Sequence, residues 1–284
     1  MKNKFFIINV LILISLSIYL FKTAPEPLVD NSIKVGSQFP VRVLFQAVAA
    51  ENAVARAIYT SDIVGKGGKV GLEFSEKWKN KAVDAGPLPA LFLREASKYL
   101  EKSPVPLGLF LGSDFPIAST NKFSGQQVDM LKQIRTDSNP TFFYSADIKR
   151  HVAMFPDYAV AEGCVTCHND HPDSPKKDWK LDDIMGATTW LYPDETVSLE
   201  EIVAAVSAVR SGILTAYLMY LEKCKNFQNP PEIGDRWPEQ GYFIPSSKAF
   251  LAVYEKEASL QTMQILLSNS ATKTDKSLSK KLRL

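Results

Sequence analysis

The sequence predicts an α+β fold, on three observations: helical patterns come first, strand patterns cluster around one short motif, and helical patterns return after it. The predicted helices span about 41–64, 90–102, 123–134, 198–223 and 246–267. The predicted strands span about 105–111, 141–148, 151–160 and 185–191. The helix that begins after Ser198 has the clearest start, because Ser198 and Glu201 form a capping box.

Composition sets the broad class. The chain has 284 residues, of which 45% are hydrophobic and 23% charged, which excludes a disordered, collagenous or multi-pass membrane protein. The net charge of +2 is too small to predict binding to nucleic acid. Three cysteines cannot form the disulfide scaffold of a small secreted domain.

The amino terminus carries an export signal. Lys2 and Lys4 precede an uncharged run, 5–21, that reaches the lower length limit for crossing a bilayer. It is either a retained anchor or a cleaved signal peptide, and the poor cleavage site after Ala24 favours the anchor. Both alternatives export the rest of the chain, so we expect a periplasmic protein attached to the inner membrane by residues 5–21.

The most informative motif is Cys164-Val-Thr-Cys167-His168, because it uses two of the three cysteines and one of the three histidines. C-x-x-C-H is the attachment signature of haem c: the thiols bind the porphyrin edge, and the histidine becomes the proximal iron ligand. The alternatives are a zinc site completed by His171, or a dithiol redox pair. The motif predicts one haem c.

The stretch that follows the motif, from Asn169 to Lys180, resembles a known family. These are single-haem c-type domains with a PAS-like fold, a domain of unknown function. They stand alone in cyanobacteria or precede histidine kinases, chemoreceptors and nucleotide cyclases. The chain keeps the family's pattern C-x-x-C-H-N-x-H-P-x-S-P-K-x-D-W-K from Cys164, and on to Gly186, except that Asp182 replaces a glycine. The resemblance implies a PAS-like antiparallel sheet with long flanking helices.

Weaker similarity to the family extends upstream, at 84–95 and from Asn139 to Tyr144. The predicted organisation is an anchor or signal peptide (1–22), a linker (23–40), the haem domain (41–223), and a carboxyl-terminal loop, helix and basic tail (224–284).

Other residues are candidates for the surroundings of the haem. Trp179 could pack against the haem, or it could be a core residue. Lys180 could bind a haem propionate, or it could be a solvated charge. The resemblance implies that a distal ligand can come from the first helix, but that helix here offers only Tyr59 or a lysine. His151 is then the first candidate for the distal ligand, ahead of methionines 130 and 154. Without such a ligand, the sixth iron position is open.

The resemblance implies a haem-based sensor of redox state or of a small exogenous ligand. The alternative is an electron-transfer cytochrome c. No catalytic motif is present in the sequence, so we expect no enzyme. The expected partners are the haem, a small ligand, an unidentified signalling or redox protein, and a second copy of the chain in a homodimer.

Overall fold

The computed structural model describes residues 13–17, 19, 22, 38–237 and 243–281, and side chains as far as 269. The chain divides into two compact units, Met1–Ser37 and Gln38–Leu284. In the first unit the described residues are helical, and the large apolar ones are half or more exposed: Leu13, Ile14, Leu16 and Tyr19. The rest of the predicted anchor, 5–21, lies outside the described residues.

The second unit is an α+β fold, as predicted. Its α-helices are α1 (Val41–Ile58), α2 (Lys66–Lys69), α3 (Pro89–Lys102), α4 (Gln126–Asp137), α5 (Glu162–Asp170), α6 (Leu199–Lys225) and α7 (Ser247–Lys281). A seven-residue π-helix, Tyr59–Gly65, continues α1, and a 3₁₀ turn spans Ser119–Asn121.

One four-stranded antiparallel sheet forms the centre of this unit. Its strands are β4 (Gly108–Gly112), β5 (Thr141–Ser145), β6 (Arg150–Tyr158) and β7 (Ile184–Tyr192), in the order β4-β7-β6-β5. The remaining strands form two-residue pairs: β1 (Phe39–Pro40) with β8 (Thr196–Val197), β2 (Glu73–Phe74) with β3 (Ala85–Gly86), and β9 (Ile233–Gly234) with β10 (Ile244–Pro245).

Alternation along the strands gives the sheet two apolar faces. Ala153 and Trp190 point into the larger core, which α1, α3, α6 and α7 complete. Val152 and Met154 point the other way, into a smaller cluster with α4. A helix therefore lies on each face of β6.

Helix α1 runs along the sheet. Near its start the Arg42 guanidinium lies over the Phe142 ring, and near its end Arg56 forms an ion pair with Asp157. The start of α1 therefore lies near the β5–β6 hairpin, and its end lies near the carboxyl end of β6.

Helix α6 has the predicted capping box: the Glu201 amide donates to Ser198 Oγ, and the Ser198 amide donates to the Glu201 carboxylate. Among the described residues it is the one helix long and apolar enough to cross a membrane. It also packs against α1, α3 and α7, with 44% of its most apolar stretch buried inside the fold. That packing is typical of a core helix.

Two boundaries differ from the sequence-based expectation. The first helix is predicted to end near residue 64, but its last turns widen into the π-helix, and α2 follows directly. The last helix is predicted to end near residue 267, yet α7 continues to Lys281. That segment contains no proline or glycine, so nothing in it breaks the helix.

Candidate functional site

The Cys-Val-Thr-Cys-His motif lies in the connection between β6 and β7. Two backbone hydrogen bonds close the base of this connection: the Ala159 amide donates to Asp183 O (2.9 Å), and the Asp182 amide donates to Ala159 O (3.0 Å). The segment 160–181, which we call the motif loop, thus leaves and re-enters the sheet at one point. A β-bulge between Asp157 and Tyr158 marks that point.

Helix α5 carries the three motif residues. Cys164, Cys167 and His168 are related by i, i+3 and i+4, so they lie on one face of the helix. Both thiols are free and partly exposed, and α5 has no buried residue. The helix therefore presents its chemical groups at the surface instead of using them for packing.

The His168 ring is partly enclosed. Its Nδ1 atom is buried and has no hydrogen-bond partner among the described residues. Burial lowers the pKa of His168, although the nearby carboxylates of Asp157 and Glu76 act in the opposite direction. The ring is therefore neutral at pH 7, which is the form that binds metals.

Burial also raises the pKa of Cys167, and the carboxylate of Glu76 adds to the effect. The thiol is therefore protonated at neutral pH. A reactive redox cysteine has a lowered pKa instead, so Cys167 itself is not activated as a thiolate.

Side chains of the motif loop hold it in place. Asn169 makes two hydrogen bonds with the backbone of Trp179: its Oδ1 accepts from the amide (2.9 Å), and its Nδ2 donates to the carbonyl (3.0 Å). His171 Nδ1 accepts from the Asp173 amide, and Ser174 Oγ donates to the Lys176 carbonyl. These contacts explain why the sequence pattern continues so far beyond the C-x-x-C-H residues.

Trp179 and Lys180 have different surroundings. The Trp179 ring is buried and packs edge-on against Phe115, and the Lys176 ammonium lies 4.6 Å from its centre. Its Nε1 atom is buried without a partner among the described residues. Lys180 is exposed, and its amide donates to Asp183 Oδ2. Of the two, Trp179 is the one that anchors the loop.

Asp182, which stands where the resemblance expects glycine, has φ = 66°. This left-handed conformation is the one that glycine adopts without strain, and aspartate is among the few other residues that tolerate it. The turn therefore survives the substitution.

The structure separates His151 from the motif. His151 is the second residue of β6, its ring lies 5.0 Å from that of Tyr144, and Asp157 is six positions further along the strand. At about 3.3 Å per residue this is roughly 20 Å. Because the motif loop leaves the sheet at Ala159, just beyond Asp157, it lies at the other end of β6 from His151. The fold therefore does not bring His151 to the motif.

The other candidate ligands are used in packing. Met154 is fully buried in the cluster with α4, and Met130 packs against the same cluster. Tyr59 stacks on Phe92, and its hydroxyl donates to Pro87 O (2.8 Å). None of the three is placed in the motif loop.

The fold brings several residues to the site that no sequence motif marks. Arg56 comes from α1, Asp157 from β6, and Glu76 from the segment after β2, where its carboxylate lies 3.3 Å from His171 Nε2. Met185 lies at the motif end of β7 and is partly buried. Their positions depend on the packing of α1 and on strand register, which spacing alone does not reveal.

Over the described part of the chain, no three histidine, cysteine, aspartate or glutamate side chains are arranged to hold a metal ion by themselves. A structural zinc site needs four such ligands. The geometry therefore gives no support to the zinc alternative, in which Cys164, Cys167, His168 and His171 converge.

Comparison with known proteins places the chain in a family. No curated protein and no solved structure matches it significantly. A family profile, Tll0287-like, matches residues 41–193, which include α1, the four-stranded sheet and the motif loop. Because this match covers more than half of the sequence, the chain belongs to the Tll0287-like family.

Proposed function

We propose that the chain binds one haem c through thioether bonds to Cys164 and Cys167, with His168 as the proximal iron ligand. The observation that carries the proposal is that these three residues share one face of α5. The buried Nδ1 of His168 without a partner, and the neutral state of the ring, fit an imidazole that binds metal. When bound, the haem supplies an iron that changes oxidation state or binds a small ligand.

The surface around the motif supports a haem of this kind. Val160 and Leu181, at the two ends of the motif loop, are exposed, and so is Phe115 beside Trp179. Exposed apolar side chains gathered around one point indicate a surface that something else covers. A porphyrin attached to α5 would cover apolar surface here.

Covalent attachment has a direct test. The full chain, produced together with a cytochrome c maturation system, should gain the mass of one haem that survives denaturation. The variant Cys164→Ala/Cys167→Ala should lose it, whereas Cys224→Ala, which removes a buried thiol far along α6, should keep it. Bound zinc without haem in the native protein would refute the proposal.

We further propose that the haem acts as a sensor of redox state or of a small exogenous ligand, and we assign no catalytic residue. The support is the electrostatics around His168: the carboxylates of Asp157 and Glu76 act on its ring, and Asp157 pairs with Arg56 of α1. A change of charge at the iron would act on this ion pair and so on α1. The signal would then pass to a partner protein or to a second copy of the chain.

The sixth iron position separates the sensor from the alternative, an electron-transfer cytochrome c. In a sensor of small ligands this position is open, so the reduced protein should bind CO and shift its Soret band. An electron carrier usually has a strong second ligand. A low-spin reduced spectrum that CO does not change would favour the carrier.

If the carrier is found, two variants identify its ligand. Met185→Leu removes the thioether near the start of β7, beside the motif loop. His151→Ala removes the ring at the end of β6 that lies away from the motif loop. The variant that becomes high-spin marks the ligand, and from the structure we expect Met185→Leu to have the larger effect.

We propose that the haem domain lies on the exported side of the inner membrane, held by residues 5–21. The support is the uncharged sequence of that run and the exposure of its described apolar residues. Fractionation should recover the protein with membranes, beginning at its first residues. A soluble form that begins near Pro25 would favour the signal peptide.

A further inference from the structure

Helix α7 has an apolar stripe that faces away from the body of the protein. Leu260, Met263 and Leu267 are 68%, 58% and 63% exposed, and their spacing of three and four residues places them on one side of the helix. An exposed apolar stripe of this length on a helix indicates a surface that binds something.

The opposite side of α7 holds it to the fold. Tyr254 and Ala258 are fully buried there, and the hydroxyls of Tyr254 and Thr262 donate to the carboxylate of Glu51 (3.1 and 2.8 Å). Arg210 of α6 donates to Ser259 Oγ. Because the inner side is fixed by these bonds, the outer stripe cannot turn inward without breaking them.

Beyond these contacts the helix continues to Lys281, and its sequence becomes basic. The last part of α7, 270–281, contains four lysines and a single acidic residue, Asp275. The segment thus holds a net charge of +3, against +2 for the whole chain.

We propose that the outer face of α7 binds the surface of a membrane that contains anionic lipid. A helix with an exposed apolar stripe and a lysine-rich segment lies in the interface between lipid and water, and anionic headgroups attract its lysines. The same charge disfavours a second copy as the occupant, because two such segments side by side would repel each other within the Debye length. This contact is separate from the amino-terminal run and does not depend on the haem.

Hydrogen–deuterium exchange of the full chain tests the proposal. The protein is reconstituted into vesicles of phosphatidylcholine alone, or of phosphatidylcholine mixed with phosphatidylglycerol. Residues 5–21 are the same in both samples, so a difference confined to α7 reports on this helix. We expect slower exchange over 260–281 in the anionic vesicles, and loss of that protection in high salt.

Matched variants separate the contribution of the lysines from that of the apolar stripe. Changing the four lysines 273, 276, 280 and 281 to glutamine should abolish the protection, and so should Leu260→Ser/Met263→Ser/Leu267→Ser. A control changes four exposed lysines outside α7, at 69, 77, 81 and 102, to glutamine and should keep it.

Three results would overturn the proposal. Equal exchange of α7 in both kinds of vesicle would exclude a preference for anionic lipid. Protection that grows with protein concentration in the absence of lipid would assign the stripe to a second copy. Protection by soluble polyglutamate but not by anionic vesicles would assign it to an acidic protein.

Discussion

Asp182 occupies a backbone conformation that suits glycine better. Its φ of 66° costs an L-residue up to about 1–2 kcal/mol, and aspartate less than most. Glycine also gains freedom in the unfolded chain, which offsets part of the relief. We therefore expect Asp182→Gly to raise the free energy of unfolding by about 0.5 kcal/mol. Urea denaturation measures this.

The neighbouring residue provides the control. Asp183→Gly removes the carboxylate that accepts from the Lys180 amide, and Asp183 has no positive φ. This variant should lose about 1 kcal/mol of stability. If Asp182→Gly destabilised the protein as much as Asp183→Gly does, the backbone at Asp182 would not be strained.

Cys224 should behave as a protected thiol. It is fully buried in α6, and burial raises its pKa to about 12. The thiolate is the reactive form, so at pH 8 the group is almost entirely protonated as well as enclosed. In Cys164→Ala/Cys167→Ala, a maleimide should leave the folded chain unlabelled and label one thiol after unfolding. Rapid labelling of the folded chain would contradict this.

At the scale of elements, the motif loop depends on one amide side chain. Asn169→Ala removes both hydrogen bonds to the Trp179 backbone, which together contribute about 1–3 kcal/mol. We expect faster amide exchange over 171–181 and unchanged exchange in β6 and β7. Asn169→Asp keeps the acceptor and loses the donor, so its effect should be intermediate.

A matched substitution shows whether the effect is specific. Asn80 accepts from the Ala82 amide in a surface turn outside the motif loop. Asn80→Ala should leave the exchange of 171–181 at the level of the unsubstituted chain. Faster exchange there would mean that loop protection does not depend on Asn169.

Local signals predicted many of these elements, and contacts distant in sequence set the rest. The capping box at Ser198 and the β5–β6 hairpin are encoded by neighbouring residues, so their position could be predicted. The imidazole of His151 makes it a candidate iron ligand, but its distance from the motif depends on where the motif loop leaves the sheet. Arg56 and Glu76 reach the site only through tertiary packing, so no spacing rule could find them.

At the scale of the whole molecule, Glu51 joins three helices. The carboxylate is fully buried in α1 and accepts two hydrogen bonds from Arg210 of α6 (2.9 and 2.7 Å), besides those from Tyr254 and Thr262 of α7. Glu51→Gln leaves the Arg210 charge without its partner, which should cost about 3 kcal/mol. The free energy of unfolding, from chemical denaturation, measures this.

An exposed ion pair gives the comparison. Glu222→Gln removes the partner of Lys225 at the surface of α6 and should change stability by less than about 0.5 kcal/mol. An equally small loss for Glu51→Gln would mean that the three helices are held by apolar packing alone.

The absence of buried residues in α5 bears on the biogenesis of the protein. Both apolar faces of the sheet are filled by other elements, and the loop that carries the thiols closes on itself at Ala159 and Asp183. The polypeptide can therefore reach its final architecture while both thiols remain partly exposed. A maturation enzyme would then receive a folded domain whose two thiols it can reach. Folding and haem attachment can therefore take place as two independent steps.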